Sequence, residues 1–134
     1  WHFLPEGMTA FCSYYAKAFP GLGILIAENG MSQRCSRDNS VVAHRPDKIL
    51  RSDYLEAHLR EVRRMLDQGV PLIGYLHWSL TDNYEWGSFT PRFGLYRIDF
   101  AKGLERLSID HMGDNPSRTY ARLVREFGLG GMGS

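Results

Sequence analysis

What this 134-residue sequence has little of narrows it first. It holds only two cysteines, Cys12 and Cys35, with no Cys-x-x-Cys or Cys/His ligand spacing, which argues against a disulfide framework and against a zinc site of ordinary pattern. Both read as idle thiols in a reducing compartment, so a cytoplasmic location is the expectation. No apolar run approaches the roughly 18 residues of a membrane span, and no charged-then-apolar signal peptide opens the chain. An excess of either charge is also absent: 16 basic residues face 15 acidic ones, for a net charge of +1. That removes the electrostatic case for nucleic acid or an anionic membrane and favours a small, neutral partner. Glycine-rich phosphate loops, Gly-x-Ser-x-Gly elbows and His-Glu-x-x-His are missing, as is any internal repeat of fixed period. His44, His58 and His111 lack companion ligands and read as surface or core residues. No metal and no cofactor is expected.

What is present alternates. Met8, Phe11, Tyr15 and Phe19 fall at helical steps within Pro5 to Phe19, before Pro20-Gly21, and predict an amphipathic helix. Gly23 to Ala27 is a short apolar run without alternation, the pattern of a parallel strand buried on both faces. Met31 to Lys48 is polar and irregular, a long loop. Ser52 is a plausible N-cap for a second helix with Leu55, Leu59, Val62 and Leu66 as its buried stripe and Gly69 as its stop. Val70 to His77 supplies a second strand. Arg92 to Phe100 reads as extended, and Pro116 to Phe127 as a last helix with Tyr120, Leu123, Val124 and Phe127 on one side. Gly128 to Ser134 reads as a flexible glycine-rich tail. Helix, strand, helix and strand in turn are the order of βα units with parallel strands, an α/β fold.

Two places could carry chemistry. Glu28 follows the first apolar run, so it sits at the carboxyl end of a parallel strand, where barrel folds collect their active-site residues. A carboxylate there needs partners or a task; the competing reading makes Asn29-Gly30 a turn with Glu28 as its solvated flank. His77 to Trp86 follows the second strand in the same way. Its tryptophans, tyrosine and hydrogen-bonding side chains suit a sugar, whose C–H face lies on flat aromatic rings while amides and carboxylates bind its hydroxyls. Equally, Trp78 and Trp86 could be core aromatics and Asp82-Asn83 a turn.

At these two places the chain resembles glycoside hydrolase family 1. Trp1-His-Phe-Leu-Pro-Glu-Gly7 is similar to the family's Trp-x-x-x-Pro-Glu-Gly, and Ile26-Ala-Glu-Asn-Gly30 to the Ile-Thr-Glu-Asn-Gly that bears its nucleophile, with Ala27 for the usual threonine. Tyr54-Leu55, His58-Leu59, Gly69-Val70 and Gly74-Tyr75 match the next helix and strand. Trp78-Ser-Leu-x-Asp-Asn-Tyr-Glu-Trp86 and Arg92-Phe-Gly-Leu95 complete the series in order over most of residues 1–127. Between them, Gly-Ser-Phe-Thr-Pro is shorter than in many members.

The resemblance implies a retaining β-glycosidase, β-glucosidase-like, acting on a small β-glycoside. It implies that Glu28 is the nucleophile on the seventh barrel strand, that Trp78 after the eighth is the platform under the glycone, and that Glu85 and the indole of Trp86 bind its hydroxyls. The family's acid/base glutamate belongs to an Asn-Glu-Pro motif on the fourth strand, and no Asn-Glu-Pro occurs here; Glu85 is not that residue. Glu85-Trp86 also speaks against a 6-phospho-glycosidase. A complete (β/α)8 TIM barrel needs roughly 250 residues. The expectation is therefore an incomplete barrel, strands 7 and 8 with flanking helices over 1–127, that requires its missing N-terminal half and is inactive alone. A non-catalytic remnant or carbohydrate-binding fragment is the alternative.

Overall fold

The computed structural model describes residues 2–36 and 38–128, so all of the glycine-rich tail except Gly128 lies outside the described residues. Helix α1 (Pro5–Ala18) opens with proline at a first-turn position, where the missing N–H costs no helical bond. Strand β1 (Ile24–Asn29) follows. Two short strands, β2 (Gln33–Cys35) and β3 (Val42–Ala43), occupy the segment expected to be a plain loop. They form because β2 pairs antiparallel with both β3 and β5 (Pro91–Arg92), and the β5 partner is remote in sequence. Helix α2 (Arg51–Asp67), strand β4 (Leu72–His77), the antiparallel pair β6 (Arg97–Ile98) and β7 (Arg106–Leu107), and helix α3 (Pro116–Glu126) complete the order.

The centre is the parallel pair β1–β4, with Ile24 opposite Leu72 and Asn29 opposite His77. Behind it lie the helices. Leu55, Leu59, Met65 and Leu123 are wholly buried, with Ile24, Ile26, Leu72 and Tyr75 packed on them from the strands. Each such side chain contributes about 1.5–3 kcal/mol of burial. The α2 stripe matches expectation at Leu55, Leu59 and Val62, with Met65 as its deepest next member and Leu66 only half-buried. Gly69 ends the helix with φ +77°, a conformation that glycine adopts without penalty.

Three expectations need correction. The strands are not buried on both faces: Leu25, Ile73 and Leu76 are 50%, 73% and 55% exposed, because the described residues supply no layer in front of them. In α1 only Met8 of the expected stripe packs inward. Cys12 is the buried residue while Phe11, Tyr15 and Phe19 are exposed, because the apolar arc is wider than the contact with α2 and the narrower side chains take the contact. Ser52 is not an N-cap, since its hydroxyl bonds Asp114 and Thr119 and the helix has already begun at Arg51. Asp53 holds that end instead, accepting from the Leu50 N–H at 3.0 Å. The parallel sheet of the described residues has two strands and no closed barrel.

Candidate functional site

Glu28 is the exposed penultimate residue of β1, at the carboxyl end of the parallel pair. Asn29 is still in the strand. Its side-chain oxygen accepts from Tyr75 at 2.8 Å and its carbonyl from the Trp78 N–H at 2.9 Å, which joins the two strand ends. Gly30 passes directly under Trp78; a Cβ there would stand 1.9 Å from the Trp78 carbonyl oxygen. The dipeptide Asn29-Gly30 is thus a close backbone crossing and not the turn that competed with a catalytic reading of Glu28. Among the described residues, no helix is long and apolar enough to cross a membrane and no three metal-ligating side chains cluster.

Beyond β4 the chain makes the other side of the site. Trp78 precedes a cis peptide bond to Ser79 and is 37% exposed. Its indole N–H donates to Glu85 at 3.0 Å, and Glu85 is nearly buried. The Glu85 and Ser88 backbones exchange two bonds across Trp86-Gly87, whose φ values of 47° and 103° make a two-residue hairpin turn of type I′. Trp86 sits at its tip, fully exposed and in a left-handed conformation that costs a bulky residue about 1–3 kcal/mol. Glu28, Trp78, Glu85 and Trp86 all line one open groove of about 940 Å³, together with Tyr84 and Phe93. The four residues singled out in the sequence are therefore brought together. Of the competing reading, neither tryptophan is a core residue.

Asp82 is not a turn residue. It is buried, accepts from the Gly94 N–H at 3.0 Å and the Ile98 N–H at 3.3 Å, and lies 3.7 Å from Arg92. Burial raises its pKa, while those N–H groups and the charges of Arg51 and Arg92 pull it back down. Gly94 is required by this crossing, since a Cβ would stand 2.3 Å from the Asp82 nitrogen.

Underneath both loops lies an ionic core that sequence reasoning missed. Arg51, 1% exposed, donates to the Met31 carbonyl and the Gln33 side chain from one loop and to the Arg92 carbonyl from the other, and pairs with Asp110 at 3.4 Å. Burial depresses its pKa, opposed by Asp110, Asp82 and Asp114. Arg92, wholly buried, donates to the carbonyls of Ile98 and Ser36 and stacks over Phe100 at 4.7 Å. These cations orient the segments that carry the site. No sequence signal separated Arg51 from a solvated arginine, because the partners that bury it lie 18–59 positions away; Arg92 stood out only as the first residue of Arg92-Phe-Gly-Leu95, with nothing to show its burial.

Of the histidines, His58 stacks on Tyr54 in the core, His111 bonds Asn39 and His44 lines the groove. His77 is packed beneath the site, its pKa pushed down to about 4 by burial and by the charge of Arg51.

The comparisons agree with this geometry. The profile described as Glycosyl hydrolase family 1 matches residues 1–112. A β-galactosidase of Sulfolobus acidocaldarius is 39% identical over 75% of this chain and 18% of its own length. The peroxisomal β-glucosidase 26 of Arabidopsis thaliana is 36% identical over 79% of this chain and 20% of its own. The chain thus spans about a fifth of the length of these relatives. A family 1 β-glucosidase structure from Thermotoga maritima superposes with a TM-score of 0.72 at 29% identity, covering 95% of this chain and 27% of that one. With the profile matched over most of its residues and the strand-end carboxylate, the aromatic groove and the loop crossings in place, the chain belongs to glycosyl hydrolase family 1.

Proposed function

We propose that the chain supplies the seventh and eighth strands of a (β/α)8 barrel in a retaining β-glycosidase, with Glu28 as its nucleophile. The observation that carries this reading is that Glu28, an exposed carboxylate at the carboxyl end of a parallel strand, shares one groove with Trp78, Glu85 and Trp86. The Glu28 carboxylate attacks the anomeric carbon as the bond to the leaving-group oxygen breaks, giving a covalent glycosyl-enzyme. Water then attacks that carbon and frees the carboxylate, with net retention. Trp78 lies under the apolar face of the glycone, and Glu85 and the indole of Trp86 take its hydroxyls. Galactosides and glucosides are the substrates that the relatives' names suggest.

Glu85 is nearly buried and its carboxylate is engaged by Trp78, so it is poorly suited to protonate a leaving group. That proton comes from a carboxylic acid outside these residues, on the family's Asn-Glu-Pro motif. Without it, turnover of an unactivated glycoside falls by about 10² to 10⁴, and the isolated chain is inactive.

In the intact protein that carries this chain, Glu28→Ala abolishes hydrolysis of an activated aryl β-glycoside. Added azide restores turnover and gives the α-glycosyl azide, identified by NMR, because a single displacement inverts the centre. Undiminished hydrolysis by the variant, or a β-azide product, would overturn the assignment.

A further inference from the structure

The groove has a second wall, built by different elements. In β2, Gln33 and Cys35 are 3% and 2% exposed and Arg34 between them points outward, as strand alternation requires. Its cross-strand partners are Ala43 on one side and Pro91 on the other, and all three line the groove. The face of this small sheet is therefore the wall, with Arg34 at its centre. His44, Arg45 and Pro46, which follow β3 directly, extend it. Arg45 is engaged by Asp47 in an ion pair. Among the described residues Arg34 has no side-chain hydrogen bond and no ion pair, although both Glu28 and Glu85 line the same groove.

Resting on the glycosidase reading above, we propose that this wall is a leaving-group subsite in which Arg34 binds a carboxylate carried by the aglycone. A guanidinium presents a planar fork that matches a carboxylate with two parallel N–H···O bonds, and small apolar neighbours such as Ala43 and Pro91 leave room for a flat ring beside it. The anion belongs on the leaving group and not on the glycone. Glu28 and Glu85 bring two carboxylates to the place assigned to the glycone, where a third negative charge is repelled. Because Arg34 stands on a three-stranded sheet whose alternate residues are buried, its position does not depend on a free loop.

The test uses the intact protein and a matched pair of substrates, the 3-carboxyphenyl and the neutral 3-carbamoylphenyl β-glycosides, on whichever of glucose or galactose the wild type turns over faster. Arg34→Gln lowers kcat/KM for the carboxylate about fivefold, the scale of a solvent-accessible charge-assisted bond, and leaves the amide substrate within about 1.5-fold. The loss resides in KM and shrinks as salt is raised. Phenyl β-glucuronide, with its anion on the glycone, gains nothing from Arg34. Equal losses on both aryl substrates, no loss on either, or an Arg34 effect on the glucuronide alone overturns the subsite while leaving the glycosidase reading standing. No turnover of the neutral substrate by the wild type sinks that reading, and the subsite with it.

Discussion

Ile24 and Ile26 of β1 lie against helices whose Leu55, Leu59, Met65 and Leu123 are wholly buried, whereas Leu25 of the same strand, with Ile73 and Leu76 of β4, meets solvent. The sequence is apolar on both sides of these strands, so the difference arises from what each side finds to pack on. Behind the sheet, three helices within the same chain complete a core. In front, the described residues supply no such layer; on the reading proposed above it comes from other strands of a closed barrel, where inward side chains fill the interior. The site straddles this boundary. Glu28 and Trp86 are exposed at its edge, while the segments that follow them are tied together from behind by Arg51, which donates to the carbonyls of Met31 and Arg92.

The strongest way to break the comparison is to remove that anchor. Arg51→Met leaves Asp110, Gln33 and the carbonyls of Met31 and Arg92 without their buried donor. Removing one partner of a buried ion pair costs about 3–5 kcal/mol. Denaturant unfolding of the intact protein should show a loss of this size, with activity falling further than the unfolded fraction explains because both site loops lose their common tie. A loss below about 1 kcal/mol would mean that the loops are held from the open side instead.

Next, the two faces can be weighed directly. Leu59→Ala, behind the sheet, costs about 2–5 kcal/mol as a cavity in a packed core. Ile73→Ala, in front, removes a side chain that is 73% exposed here, and a solvent-facing substitution shifts stability by only about 0.5 kcal/mol. In the intact protein we expect Ile73→Ala to fall in the larger range, because further strands cover it. Equilibrium unfolding of the two variants side by side checks this, and an Ile73→Ala cost within 0.5 kcal/mol would contradict barrel closure over this face.

The same division explains what could be read in advance. Leu55, Leu59 and Val62 repeat at helical spacing and pack within the chain, so pattern and burial coincide there. Pro116 at a first turn and Gly69 at a stop act through their own backbones and needed no context. Glu28 stood out as a carboxylate after an apolar run, but its position alone left a solvated flank equally open; the expectation that it keeps company with Trp78 and Glu85 came from the family resemblance, and the three do line one groove. Long-range partners hid the rest. Ser52 resembles a cap until Asp114 claims its hydroxyl. Arg51, Arg92 and Asp110 belong to types that rarely lie inside unless paired, and their pairing is visible only once β2, α2 and β5 have converged. Arg34 is the opposite case, a cation indistinguishable in sequence from a solvated one until β2 is seen to wall the groove.

The smallest effect expected concerns acid, and it probes the closed side where it meets the site. His77 packs near Tyr120 of α3, at a ring separation of 6.1 Å, and its pKa is pushed down to about 4 from an ordinary 6.5. Between those two values the unfolded chain binds a proton that the folded chain refuses, so stability from the neutral imidazole is complete above pH 6.5 and is lost as pH falls toward 4. The gap corresponds to something on the order of 3 kcal/mol. His111, also pushed down to about 4 by burial, titrates in the same window, as do carboxylates. The informative quantity is therefore the difference between the wild type and His77→Gln, in which those shared contributions cancel. Urea unfolding at pH 7, 5.5 and 4.5 should show the variant losing less stability with acid than the wild type does. Parallel losses would mean that water reaches His77, and that the helices behind β4 do not close the sheet as tightly at its site end as they do around Leu59.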